Sequence, residues 1–107
     1  MQTMNKAISY KRRGTEGVLS LGGTMDIFEA ANLHTAACKA LHDKKAVTVC
    51  VELAEVKRLD VTTLQILCAL QRDVMTEGRA FVFRVPPDQV IKQFVGIGLS
   101  ISATEPS

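Results

Sequence analysis

The hydrophobic and polar positions change period several times along the chain, and each change marks an element. Ala7 to Lys11 (A-I-S-Y-K) alternates weakly, as an edge strand does. Arg12-Arg13-Gly14 begins a turn, and Val18-Leu19-Ser20-Leu21 makes a second strand expected to stop at Gly22-Gly23. From Asp26 the period becomes helical. Ala30, Leu33, Ala37, Ala40 and Leu41 fall on one stripe, and Asp43-Lys44-Lys45 ends it. Asp26, with Glu29 three residues on, has the form of a capping box.

Val47 to Val51 (V-T-V-C-V) is a β-branched run with almost no polar face, which suits a central strand covered on both sides. Glu55 to Arg58 reads as a charged loop. A second helix is expected from about Thr62 to Thr76, with Thr62 as cap, Gln65 as its third-position partner, and Val61 with Ile66 as a hydrophobic staple. Ile66, Leu67, Leu70 and Val74 form one apolar face of it, and Leu64, Cys68 and Met75 an adjacent one. Only a narrow polar arc remains, so this helix should pack against both a sheet and a second element, either the first helix or a partner protein. Glu77-Gly78 closes it, and Ala80 to Val85 is another buried strand. Pro86-Pro87 leads into a short third helix carrying Val90, Ile91, Phe94 and Val95, which ends at Gly96 or Gly98. The tail at 102–107 is expected to be loose. Strands alternating with helices imply parallel pairing in the second half, and the opening hairpin makes the sheet mixed. The expected fold is one α/β domain with a four- to five-stranded mixed sheet, a parallel core and three main helices.

Composition narrows the function. A chain of 107 residues with 47% hydrophobic and 22% charged residues is a folded domain, long enough to bury roughly 65% of its unfolded surface. A net charge of +2 is too small for a dedicated nucleic-acid binder. Cys38, Cys50 and Cys68 form no C-x-x-C pair and read as reduced core thiols. No apolar run approaches the ~20 residues of a membrane span, and no signal-peptide core is evident, so a cytoplasmic location is expected.

Candidate chemistry is sparse. Both histidines, His34 and His42, sit on the first helix and share a four-residue spacing with Cys38. Three donors of that kind could hold a soft metal ion, but no carboxylate supports them, and they read as boundary packing with two solvated imidazoles. No nucleophile–base–orienter set can be assembled, and the glycines form neither G-x-G-x-x-G nor a phosphate loop, so neither an enzyme nor a cofactor is expected. Lys11-Arg12-Arg13 and Lys57-Arg58 are small basic clusters, either solvated or set to meet a phosphate or an acidic partner. Ile27 and Phe28 lie off the stripe of the first helix. They pack under the N-terminal strand, or they remain exposed as part of a docking patch.

From Val47 to Leu67 (V-T-V-C-V-E-L-A-E-V-K-R-L-D-V-T-T-L-Q-I-L) the chain resembles a STAS domain, the fold of anti-sigma-factor antagonists and of the cytoplasmic tails of sulphate transporters. The resemblance continues through Glu77-Gly78-Arg79, the strand from Ala80, and Gly98-Leu99. It includes Leu21-Gly22-Gly23 through Asp26, and so spans about Gly17 to Leu99. It implies a non-enzymatic regulatory protein in bacterial signalling, by partner switching or linked to chemotaxis. Thr62 would be phosphorylated by a partner kinase, with Thr63 as the second choice, and Asp60 would orient the acceptor. Val61, Thr63, Gln65, Lys57, Arg58, Ile27 and Phe28 would form the docking surface. The implied partner is an anti-sigma factor or serine/threonine kinase of the histidine-kinase-like ATPase type, or a chemotaxis or transporter component. Neither nucleic acid nor membrane insertion is implied. Two positions depart from the family pattern: Val61 stands where Ser is common, and Thr63 replaces the usual Gly. The alternative is a constitutive accessory subunit of a lipid-transport-type ATPase complex, in which Thr62 is only a cap.

Overall fold

The computed structural model describes residues 7–84 and 92, and 104–105 as backbone. The alternating N-terminal segments form a hairpin, with β1 (Ile8–Arg13) antiparallel to β2 (Glu16–Met25) from Ile8↔Leu21 to Arg13↔Glu16. A single 3-10 turn at Ile27–Glu29 leads into α1 (Ala30–His42). That helix crosses over to β3 (Thr48–Leu59), which runs parallel to β2. In the same way α2 (Val61–Thr76) leads to β4 (Ala80–Arg84), parallel to β3. β5 (Thr104–Glu105) adds to β4, giving the sheet order β1-β2-β3-β4-β5. The sheet is mixed, β1 is at its edge and β3 at its centre, as the hydrophobic pattern implies. The third helix expected around Val90–Val95 lies outside the described residues. Thr104–Glu105 pairs with β4 where a loose tail is expected.

Three strands run further than their sequences suggest. β1 continues through Arg12 and Arg13, where the turn is expected to begin. β2 does not stop at Gly22-Gly23, and Glu55 to Arg58 is strand, not loop: Gly22 pairs with Glu55, Gly23 with Val56 and Thr24 with Arg58. The ladder shifts register between Ser20 and Gly22 and again between Gly23 and Thr24. A bulge inserts an unpaired residue and bends the strand, and Gly23, at φ +72°, supplies backbone there that other residues adopt only with strain. The bulges also break the two-residue period, so that Leu53, Val56 and Leu59 all reach the core at three-residue spacing.

Both helices pack on one face of the sheet. Leu33, Ala37 and Ala40 of α1 and Leu64, Leu67, Leu70 and Val74 of α2 meet Leu19, Leu21, Val49, Val51, Leu53, Phe81 and Phe83 in one hydrophobic cluster. The second element expected against α2 is therefore α1. Phe81 and Phe83 meet edge to face with ring centroids 5.0 Å apart, a favoured aromatic geometry. On the other face Ser20 donates to Glu52 (2.9 Å), and Arg84 pairs with Glu16 (2.9 Å) and Glu52 (3.5 Å). Cys50 is buried in β3, while Cys38 and Cys68 are half-buried. Burial pushes the Cys68 thiol up in pKa.

The hairpin is fastened to the end of α1 by a side chain that lies across a glycine. The Tyr10 hydroxyl donates to Asp43 (2.8 Å), which also accepts from Arg12 Nε (3.0 Å). Partial burial and the Asp43 carboxylate push the Tyr10 pKa up to about 12, while that hydrogen bond holds Asp43 below the usual carboxylate range. A Cβ on Gly17 would overlap the Tyr10 hydroxyl and lie 3.0 Å from the Ala46 Cβ. Gly17→Ala is therefore expected to cost about 1–3 kcal/mol, as other overpacked sites do, in chemical denaturation. In a Tyr10→Ala background the same change should cost much less, and equal costs in both backgrounds would show that the ring is not the obstacle.

Candidate docking site at the start of the second helix

The end of β3 delivers the chain to α2 through Asp60, whose extended backbone (φ −77°, ψ 155°) is that of an N-cap. Its Oδ1 accepts from the Thr62 N–H (2.9 Å), and its carbonyl accepts from the Leu64 N–H (2.9 Å). Asp60, rather than Thr62, therefore caps the helix, and α2 starts at Val61. The expected staple does not form either: Val61 is the first helical residue and is 55% exposed. Thr62 is half-buried in the first turn, with its N–H held by the cap.

Thr63 behaves differently from its neighbour. It is 0% exposed, and its hydroxyl lies 2.7 Å from the Asp60 carbonyl and 3.1 Å from that of Met25, so one proton is shared between two acceptors. The Met25 carbonyl also accepts from the Asp60 N–H (2.8 Å). This small network ties the end of β2 to the start of α2. It removes Thr63 both as second-choice phosphoacceptor and as a docking residue, because no partner can reach it in this fold.

The other expected docking residues are exposed. Phe28 is 84% and Ile27 60% accessible on the 3-10 turn, which adjoins α2, and Gln65 faces solvent from its first turns. Lys57 and Arg58 are exposed on the last part of β3. Arg58, Thr24, Met25, Asp26 and Asp60 line a small cleft of about 190 Å³. Asp26 caps the 3-10 turn by accepting from the Phe28 N–H (3.0 Å), but the capping box is not made: α1 begins after Glu29, which gives it no side-chain cap. Exposed Ile27 and Phe28 follow from this, because the 3-10 turn departs from the α1 stripe before the helix begins.

A groove of about 270 Å³ runs between α1 and α2, lined largely by apolar atoms. Ile66, Ala69, Leu70 and Leu41 form its floor and walls, with Thr62, Gln65, His34 and Cys38 among its polar borders. The Cys38 Sγ is 3.9 Å from His34 Nδ1, as the four-residue spacing implies. Among the described residues no three His, Cys, Asp or Glu side chains come together as a metal site. Sequence reasoning missed the groove. Its one signal is the small residues in its lining, Ala37 on α1 and Ala69 on α2.

The architecture is that of an α/β domain with both described crossover helices on one face of a mixed sheet and a capped helix start flanked by exposed apolar side chains. The model of the family described as Mlab, STAS domain matches residues 8–101, and the chain belongs to that family. No curated protein matches it significantly. Among solved structures, phosphorylated SpoIIAA, a Bacillus cell fate determinant, aligns with a TM-score of 0.77 at 14% identity, over 94% of this chain and 91% of that one. The unphosphorylated form of SpoIIAA, an anti-sigma factor antagonist, gives 0.75 at 13% identity over 94% and 89%. A Thermotoga maritima protein described as an anti-sigma factor antagonist gives 0.79 at 15% identity over 94% and 86%. At these identities the likeness is one of fold. Among the described residues no helix is long and apolar enough to cross a membrane.

Proposed function

We propose that the protein is a regulatory protein–protein interaction domain of the anti-sigma-factor-antagonist kind, controlled by phosphorylation of Thr62. The observation that carries this reading is the exposed apolar trio Ile27, Phe28 and Val61 around the start of the helix that bears Thr62. Exposed apolar side chains gathered around one helix end suit a surface that a partner covers. A phosphate on Thr62 would stand in the first turn of α2, where free N–H groups and the dipole favour negative charge. It would also add nearly two negative charges beside Asp60, which a partner surface built for the unmodified domain would have to desolvate. The partner is an anti-sigma factor or kinase, and no catalytic group of the domain itself takes part.

The test is phosphate transfer followed by mapping. Incubated with ATP and an extract of its own cells, the protein should take up phosphate on Thr62, as mass spectrometry would show, and Thr62→Ala should abolish the uptake. Phe28→Asp changes an exposed residue, so its fold should be unaffected. It should nevertheless lower the rate of uptake at least tenfold, about 1.4 kcal/mol of docking energy. Uptake by neither threonine, in the extract or in protein isolated from cells, would leave a constitutive binding subunit in place of the switch.

A further inference from the structure

The edge strand β1 offers a second recognition surface, separate from the start of α2. In an antiparallel pair, residues alternate between those that bond their partner and those whose N–H and C=O point away. The Gly22 N–H donates to the Ala7 carbonyl (2.8 Å), and Ala7 lies opposite Gly22 if the β1–β2 register is extended by one residue. That phase turns the backbone groups of Ile8, Tyr10 and Arg12 outward. Among the described residues no strand pairs with that side. The side chains of Ile8 and Tyr10 lean onto the core on the helix-bearing face. Next to them a groove of about 580 Å³ opens between β1 and α1, with a mixed lining: Ile8, Tyr10 and Ala36 give it apolar surface, and Lys11, Lys39 and Glu29 stand among its polar residues. Lys11 and Arg13 alternate with Ile8, Tyr10 and Arg12 along the strand, and both are exposed and, among the described residues, in no ion pair. Arg12 is already held by Asp43.

We propose that β1 is a docking edge for an extended segment of a partner protein that alternates acidic and apolar residues. Such a segment would add as a further strand, bonded to the outward groups of Ile8, Tyr10 and Arg12. Its apolar side chains would enter the groove beside α1, and its acidic ones would stand across from Lys11 and Arg13. Charge decides between occupants. A second copy of the chain paired β1 to β1 brings no carboxylate to Lys11 and Arg13 in either direction, since β1 (I-S-Y-K-R-R) contains none, and in parallel it sets the basic run against itself, whereas an acidic segment is attracted by it. Basic residues on an edge also discourage indiscriminate pairing, so the same side chains that protect the edge select its partner.

The probe is an acetylated, amidated octapeptide of alternating glutamate and valine, titrated into the isotopically labelled protein. Amide resonances of Ile8, Tyr10 and Arg12 should shift, and those at the start of α2 should not. A lysine–valine octapeptide should bind at least tenfold more weakly. Ile8→Pro removes one outward N–H and no β1–β2 bond, and should weaken the glutamate–valine peptide at least tenfold. The double variant Lys11→Glu/Arg13→Glu changes only exposed side chains, and should reverse the preference between the peptides. The proposal fails on any of four results: shifts confined to other elements, equal binding of the two peptides, undiminished binding by either folded variant, or self-association through β1 in the absence of peptide.

Discussion

Arg79→Ala is expected to lower the stability of the domain by about 3 kcal/mol or more, because several backbone carbonyls lose a charged donor together and a hydrogen bond to a charged group is worth about 1.5–3 kcal/mol. The Arg79 side chain is only 10% exposed, and its guanidinium is met by five acceptors. Its Nη2 donates to the carbonyls of Ala40 and Asp43 (3.0 Å each), its Nη1 to the Leu41 carbonyl (2.8 Å) and to Glu77 (2.9 Å), and its Nε to the Ala46 carbonyl (2.9 Å). Carbonyls in the last turn of a helix have no intrahelical donor, so this one side chain satisfies the end of α1 from beyond the end of α2. Glu77 is bound from its other side by Lys44 (2.6 Å), and the two cations, Lys44 foremost, hold its carboxyl below the usual range. Without the guanidinium, the carbonyls of Ala40, Leu41, Asp43 and Ala46 lose a charged donor at once. Arg79→Lys keeps the charge but cannot reproduce the planar fork, and should recover less than half of the loss. The measurement is urea denaturation at neutral pH. A cost of Arg79→Ala below about 1 kcal/mol would mean that solvent already serves these carbonyls.

Arg79 shows where a sequence stops being legible. In the chain it is one residue of a Glu-Gly-Arg turn, and nothing local indicates that it reaches 33 to 39 residues back. The same holds for Gly17, whose need for hydrogen in place of a side chain comes from Tyr10 on the neighbouring strand. What could be read were properties carried by consecutive residues: the edge strand, the end of α2 at Thr76, the mixed sheet, and the central strand expected from Val47 to Val51, of which Val49 to Val51 are fully buried while Val47 precedes β3 and is exposed. The boundary errors in β2 and β3 share one cause. Around Gly22-Gly23 the bulges change the period, so that strand residues present a pattern that alternation alone reads as turn and loop. At the start of α2 both Asp60 and Thr62 are competent caps by residue type, and only the backbone conformation of Asp60 decides between them. The exposure of Ile27 and Phe28 was legible as an off-stripe position but not as a certainty, because a short 3-10 turn has no periodic signature. The groove between α1 and α2, like the clefts beside β1 and Arg58, depends on the distance between elements.

The two threonines at the start of α2 should respond to charge in opposite ways. Thr63→Glu places a carboxylate where the parent side chain is 0% exposed and bonded to two carbonyls. An unpaired charge in such a place costs at least about 4 kcal/mol, a large share of the ~5–15 kcal/mol that holds a domain folded. The variant should be mostly unfolded or should melt tens of degrees lower. Thr63→Val tests the hydroxyl alone. The Met25 and Asp60 carbonyls each keep a backbone donor, from Asp60 and Leu64, so the loss should be only about 1 kcal/mol. Thr62→Glu adds the same charge one residue earlier, at a half-exposed position in the first turn. There the helix dipole favours it and the neighbouring Asp60 carboxylate opposes it, so stability should change by no more than about 1 kcal/mol. Because Asp60 is the cap, Thr62→Ala should cost no more than about 0.5 kcal/mol, whereas Asp60→Ala should cost about 0.5–2 kcal/mol. Circular dichroism melts of the five variants are sufficient. Thr63→Glu melting like the parent would mean that Thr63 reaches solvent and that α2 is set one residue away from the arrangement described. Thr62→Glu unfolding the domain would remove Thr62 as an acceptor, since a phosphate there carries more charge than the glutamate that the fold could not hold.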